Sequence, residues 1–361
     1  MYAPDAQFFK EHPPMIRAIL LFTALLFANA SMAQSFISSL LGKDEKEAFK
    51  LYQQAEAGDM VANAKLYHLA KDGNEWAALQ LGYLIETGKG FIAVGAEGKR
   101  LQLAPSANIT DLRARSIEAG RHYATVARKN TLAAYNLGLL YLKGLATPAE
   151  VNDVQDEKEE QDLLVRDQQG NIRVDDPIHA GVRYMLLAAE KSKKSLVHPY
   201  MQLGAIYENG MKTIPRNDGL AADYYGSAAG MKEPQAQFKF GMIWLYGKGR
   251  QQDIGAARLW LTKAAEQWNR NAMLMLAKLD MEGSGLQGTS FGMAAQWLHV
   301  AGHGSPMFHE AAAPMLAKVP EPVSKAAANS ARIWIASHAR SERLNNYLVP
   351  LNRNPADQSN G

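Results

Sequence analysis

The sequence contains no cysteine. Disulfide bonds, cysteine-ligated zinc and thiol catalysis are therefore excluded. The chain also carries little excess charge, with a formal net charge of +3 at pH 7. Because proteins that bind nucleic acid usually concentrate a strong basic excess against the phosphates, we expect no nucleic-acid partner.

Motifs that would carry catalysis or bind a metal are also missing. His309 and Glu310 begin a zinc-protease pattern, but Ala313 stands where its second histidine belongs. His299 and His303 are four residues apart and could share a helix face, but we interpret them as packing or surface histidines. The sequence therefore predicts a protein that is not an enzyme, with no cofactor and no metal.

Long apolar runs are absent apart from one near the N-terminus. Residues 18–27 are apolar, follow Arg17 and precede the small residues at 28–33. This run is too short to span a membrane, and its charge, apolar core and small-residue exit are typical of a secretory signal peptide. We predict that residues 1–33 form an upstream extension and a signal peptide. Cleavage after Ala33 would leave a periplasmic protein with no stable membrane anchor.

What the sequence does contain is an internal repeat. The pair Leu203-Gly204 returns as Phe240-Gly241 and as Leu276-Ala277, at intervals of 37 and 36 residues. Paired alanines return with the same period at Ala228-Ala229 and Ala264-Ala265. A fixed period in this range is typical of a solenoid, in which each repeat is one helical hairpin stacked on its neighbours.

One copy of the repeat is especially complete. Residues 240–249 read Phe-Gly-Met-Ile-Trp-Leu-Tyr-Gly-Lys-Gly, and Asp253, Trp260, Lys263 and Ala264-Ala265 follow. These residues resemble the Sel1-like repeat, a relative of the tetratricopeptide repeat. The resemblance implies an all-α fold, an α/α superhelical solenoid with a protein-binding role. It implies no catalytic residue, because the family motif is a packing motif.

The repeat pattern also predicts how the chain is divided. We expect a repeat array at residues 44–302, with insertions at 91–111 and 145–177, then capping helices at 303–340 and a flexible tail at 341–361. The stretch 148–176 holds ten acidic residues against three basic ones. It is interpreted either as a solubilising surface loop or as a docking arm for a basic partner. Residues 163–174 within it are typical of a small β-hairpin.

The first helix of each repeat, here called the leading helix, is apolar on two faces. One face carries the Leu-Gly pair. The opposite face carries large apolar side chains, of which we predict these to bind a partner in a concave groove: Tyr135, Met201, Phe238, Tyr83 and Met242. Such residues could instead be buried inside a tight superhelix. If the groove is open, it would accept a helix or an extended peptide.

Two hypotheses about function follow from these features. The first is a non-catalytic, monomeric periplasmic scaffold that binds another envelope or secreted protein. Its role would be envelope regulation, assembly of a complex, or immunity against a secreted effector. The alternative is a cell-envelope enzyme that acts on wall material at a site built by the insertions. The missing catalytic motifs disfavour that alternative.

Overall fold

The computed structural model describes residues 43–94, 102–106, 111–153, 176–285 and 288–348 of the 361-residue chain. Within these ranges the fold is all-α, a helical repeat of fourteen helices packed in pairs, with one small hairpin of two strands. The predicted signal peptide, the hairpin predicted at residues 163–174 and residues 349–361 of the predicted tail lie outside the described residues.

The chain divides into two compact units, one ending at Arg216 and one beginning at Asn217. In its described residues the first unit contains α1 (Lys43–Glu56), α2 (Met60–Lys71), α3 (Glu75–Glu86), β1 (Phe91–Val94), β2 (Gln102–Pro105), α4 (Leu112–Val126), α5 (Thr131–Leu142), α6 (Pro177–Ser192) and α7 (Val197–Asn209). The pairs α3–α4 and α5–α6 make the most extensive contacts. The fully buried side chains of Tyr123, Tyr141 and Leu137 lie in this core.

In its described residues the second unit contains α8 (Asp218–Gly230), α9 (Pro234–Tyr246), α10 (Ile254–Glu266), α11 (Arg270–Glu282), α12 (Phe291–Gly302), α13 (Pro306–Leu316) and α14 (Glu321–Leu348). The helices α9 and α10 pack against each other, as do α11 and α12. The core between α10 and α11 includes a buried ion pair, in which the guanidinium of Arg258 donates to the carboxylate of Asp280.

The starts of many helices follow from two related residue types. Asparagine or aspartate precedes eight of the described helices, and its side-chain oxygen accepts a backbone N–H of the first turn in each: Asp59, Asn74, Asp111, Asn130, Asp176, Asn217, Asp253 and Asn269. A cap of this kind stabilises a helix by about 1 kcal/mol. These caps fix where those eight helices begin, because they satisfy N–H groups that have no partner inside the helix.

The turns that lead from one hairpin to the next share a backbone conformation. Lys194, Lys232 and Trp268 have φ angles of 64°, 65° and 64°, in the left-handed region. They lie in the turns α6–α7, α8–α9 and α10–α11. A side chain in this region carries a steric cost that glycine avoids. The tight turn between successive helices therefore stores some backbone strain.

The first predicted insertion contains the two described strands. Phe91 pairs with Pro105 and Val94 with Gln102 in an antiparallel hairpin. The hairpin is joined to the end of α3 because Ser106 donates from both its backbone N and its Oγ to the carbonyl of Gly90, at 2.8 Å and 2.7 Å. The sequence predicted a hairpin in the second insertion and none here.

The last helix is longer than the sequence predicted. We expected helices to end near residue 340, but α14 continues to Leu348. Residues 341–348 contain no proline or glycine, and the first such residue after them is Pro350. Trp334 of α14 packs edge-to-face on Trp268 and Trp297, at ring-centroid distances of 5.1 Å and 5.8 Å. The indole N–H of Trp268 also donates to the carbonyl of His338 at 2.8 Å, which holds α14 in place.

Candidate partner-binding surface

The Leu-Gly face of each leading helix is a packing surface. Leu81, Leu137, Leu203 and Leu276 are all buried. A Cβ added at Gly241 would lie 2.9 Å from Leu261, and one added at Gly138 would lie 3.1 Å from the carbonyl oxygen of Gly181. The glycines therefore allow helices to approach closely, which recovers the roughly 1 kcal/mol that glycine costs inside a helix.

Tyr135 lies on the opposite face, on α5, and is half-buried. Its ring lies 5.9 Å from the ring of His198 on α7, and the side chain of Gln202 lies close enough to its hydroxyl to affect the pKa of Tyr135. Burial raises the pKa of Tyr135 to about 12. Burial likewise lowers the pKa of His198, so both groups are neutral at pH 7. The structure thus builds a small polar centre beside an aromatic ring on this face.

The other two predicted residues of the first unit are also accessible. Tyr83 is 40% exposed, and its ring lies 6.4 Å from the ring of Tyr52 on α1. Met201 is half-buried on α7, three residues after His198. A side chain that belonged only to the core would be hidden from solvent, so the face of these helices is only partly covered by the unit itself.

In the second unit the predicted residues lie closer to the core. Phe238 and Met242 are half-buried on α9, and both pack against the apolar cluster that contains Leu276 and Ala331. Phe238 and Met242 are therefore partly core residues and partly surface residues. Neither of the two predicted alternatives, an open groove or a fully buried column, describes them completely.

Sequence reasoning did not identify His198 and Gln202 as part of this face. Helical spacing could have placed His198 on this face, since it precedes Leu203 by five residues and falls on the same side of the helix as Met201. Polar residues do not show in the apolar pattern from which this face was predicted. Tyr52 was missed because residues 48–55 fit the second helix of a repeat, and only leading helices were expected to carry the binding face.

A second polar cluster lies at the base of the acidic insertion. Asp153, the last described residue before residues 154–175, accepts hydrogen bonds from Tyr141 at 2.9 Å and from Tyr184 at 2.8 Å. On the other side of the insertion, Asp176 caps α6 and contacts His179 Nδ1 at 3.1 Å. Both ends of the insertion are therefore fixed to the pair α5–α6.

The histidines considered as metal ligands are separated into other contacts. His299 Nε2 lies 3.1 Å from the Ser324 hydroxyl, and the backbone N–H of His303 donates to the carbonyl of Val300. Across the described ranges, no group of three or more histidine, cysteine, aspartate or glutamate side chains could hold a metal ion. No helix in that same part of the chain is long and apolar enough to cross a membrane.

Comparison with known proteins identifies the repeats. The Sel1 repeat model matches residues 36–59, 77–96, 131–155, 200–231 and 234–267. The matched segments include the leading helices α3, α5, α7 and α9. The chain is therefore a Sel1 repeat protein, which confirms the resemblance seen in the sequence. Proteins of this family are typically non-catalytic scaffolds, and their repeats generally mediate protein binding.

Two solved structures are similar to this chain. A Sel1 repeat protein from Oxalobacter formigenes is 20% identical, with 70% of this chain and 81% of that chain covered and a TM-score of 0.49. A protective antigen present in uropathogenic Escherichia coli strains, which displays an SLR fold, is 18% identical, with 94% and 81% covered and a TM-score of 0.34. No curated protein matches the chain.

Proposed function

We propose that the protein is an exported scaffold that holds another envelope or secreted protein on the partly exposed face of its leading helices. The observation that carries this proposal is the cluster formed by Tyr135, His198 and Gln202. It combines a half-buried aromatic ring with two half-buried side chains that can form hydrogen bonds. Aromatic and thioether side chains are enriched at the centres of protein interfaces.

The proposed residues act within each unit separately. Tyr83, Tyr135 and Met201 would contact the partner in the first unit, and Phe238 and Met242 would contact it in the second. The partner would bury the exposed side of each of these residues. Because such interfaces are dominated by a few central anchors, Tyr135 and Phe238 are the residues we expect to matter most.

Export to the periplasm is the second part of the proposal, and it rests on the sequence of residues 1–33. N-terminal sequencing of the protein purified from the envelope fraction tests it. A chain that begins at Gln34, or at Ser31 if cleavage follows Ala30, agrees with the proposal. A chain that retains Met1 or Met15 would contradict it.

Site-specific photo-crosslinking in living cells tests the binding face. A benzoylphenylalanine placed at Tyr135 or Phe238 should crosslink to one defined envelope or secreted protein. The matched control is the same group at Leu259, which is 54% exposed on α10 and does not belong to the leading-helix face. Equal crosslinking at all three positions, or none at Tyr135 and Phe238, would refute the proposal.

Affinity measurements on the identified partner then separate binding from folding. Truncating Tyr135 or Phe238 to alanine should weaken binding by about 1–3 kcal/mol. Melting is measured on the same proteins. A large loss of stability with unchanged affinity would show that these side chains serve only internal packing.

A further inference from the structure

A cleft of about 180 Å³ opens between α2 and α4 in the first unit. Its walls include Tyr67 and Ala70 from α2, and His122 and Thr125 from α4. None of these residues belongs to the leading-helix face proposed above. The cleft therefore needs a separate explanation, and its volume is sufficient for one aliphatic or phenyl group.

Apart from Lys71 and the paired Glu118 and Arg121, the residues that line the cleft are uncharged. The edge of the Tyr67 ring meets the His122 ring at a centroid distance of 6.1 Å, and the rings are nearly perpendicular. Burial lowers the pKa of His122, with Glu118 opposing and Arg121 reinforcing the shift, so the imidazole is neutral at pH 7. Neutral aromatic walls favour an apolar group over a hydrated ion.

The rim of the cleft carries one uncompensated positive charge. Arg121 is already neutralised, because its guanidinium bonds to Glu118 at 2.7 Å and donates to the carbonyl of Glu150 at 3.3 Å. Lys71 is different. Its ammonium lies 5.5 Å from the centroid of the Tyr67 ring, and the part of the chain that the structure describes gives it no ion pair. A negative group at the mouth of the cleft would face this ammonium.

We propose that this cleft binds a small carboxylate with an apolar body, with the body against the Tyr67 and His122 rings and the carboxylate at Lys71. A free aliphatic acid and the C-terminal residue of a peptide share this chemistry. The site is independent of the leading-helix face, so either proposal can fail without the other.

Three probes of matched size test this site on the full chain by amide chemical-shift titration. N-acetyl-leucine represents a peptide terminus, 4-methylpentanoate represents a free acid, and N-acetyl-leucinamide has the same body without the charge. We expect the two acids to cause saturable shifts at Ala70, Lys71 and Thr125. The amide should bind about three- to fivefold more weakly, as expected for the loss of a solvent-exposed ion pair. The order of the two acids identifies the natural source.

Variants assign the binding to the cleft. Lys71→Met should weaken the acids by about three- to fivefold and leave the amide unchanged. Lys65→Met is the matched control, since Lys65 is exposed on the same helix and does not line the cleft. Thr125→Trp, at an exposed position on the opposite wall, should fill the mouth and abolish binding of all three probes.

The proposal fails if no probe causes saturable shifts, if the amide binds as well as the acids, or if Lys71→Met and Lys65→Met behave alike. Melting curves of each variant accompany the titrations, so a folding defect in Lys71→Met would be recognised. In that case Thr125→Trp decides, because a folded Thr125→Trp protein that still binds the acids would place them elsewhere.

Discussion

Gly138 and Gly181 meet with their backbones in contact. A Cβ on either residue would lie 3.1 Å from the carbonyl oxygen of the other. The contact joins α5 to α6, the most closely packed pair of helices in the first unit. Neither position has free space for a Cβ, because side-chain atoms of Met185 and Leu142 lie nearer still, at 3.0 Å and 2.7 Å, and the carbonyl oxygens cannot rotate away.

Gly138→Ala should therefore destabilise the protein, although alanine is normally the better helix residue. We expect a loss of about 1–3 kcal/mol from overpacking. Gly230→Ala is the control, because nothing lies within 4 Å of a Cβ at that position. Urea unfolding compares the two variants. If Gly138→Ala were as stable as Gly230→Ala, the helices α5 and α6 could not be as close as described.

Removing one partner of the Arg258–Asp280 ion pair should destabilise the protein, whereas replacing both partners with apolar residues should not. The side chain of Asp280 is fully buried, and burial raises its pKa while Arg258 opposes that rise. Arg258→Ala would leave a buried carboxylate without its partner and should cost about 3–5 kcal/mol. The double variant Arg258→Met, Asp280→Leu should regain most of that loss, as measured by chemical unfolding. A double variant no more stable than Arg258→Ala would contradict this account.

Two half-buried histidines should make the protein less stable in acid. Burial lowers the pKa of both His122 and His198 in the folded state. The unfolded chain therefore binds protons first as the pH falls below the ordinary histidine pKa of about 6.5, and stability is lost from there down to the folded-state pKa values. Above that pH the two histidines are neutral in both the folded and the unfolded chain, so no stability is lost through them.

Chemical unfolding at several pH values measures this effect. His122→Gln and His198→Gln should each flatten the dependence of the unfolding free energy on pH below 6.5. His303→Gln serves as a comparison at a residue that faces neither site. If all three variants kept the slope of the parent protein, the acid sensitivity would have another origin.

The packing of α14 against the rest of the second unit depends on one tryptophan. Trp334 contacts two other indole rings, so Trp334→Ala should cost about 3 kcal/mol, the low end for tryptophan because the residue is only half-buried. The neighbouring Ile333 is 73% exposed, and Ile333→Ala should change little. Thermal melting distinguishes the two. Similar melting temperatures for both variants would show that α14 adds little stability.

The repeat architecture could be predicted from the sequence because its signals are local and recur. The Leu-Gly pair marks each leading helix, and the predicted Sel1 resemblance and all-α fold are confirmed. Gly138 and Gly241 share one position in the repeat, and helices pack closely at both. The division of the chain into signal peptide, array, cap and tail stays a prediction.

Features that depend on contacts between distant residues were not predictable. The hairpin in the first insertion requires Phe91 to pair with Pro105, and the segment 95–101 between the strands is longer than the two to five residues typical of a hairpin loop, although it contains glycines. Likewise, the spacing of apolar residues shows which of them share a helix face, but not how much of that face a neighbouring helix covers. Tyr83 and Leu79 lie on the same side of α3, yet Tyr83 is 40% exposed and Leu79 is buried.

The left-handed turns have a practical consequence for protein engineering. Lys194 and Lys232 adopt a conformation that costs a residue with a side chain roughly 1–2 kcal/mol. Glycine would remove this strain, against about 0.5–1 kcal/mol of added freedom in the unfolded chain. Replacing either lysine with glycine should therefore raise the free energy of unfolding modestly. The protein can be stabilised by changing these turns alone, without altering the surface proposed to bind a partner.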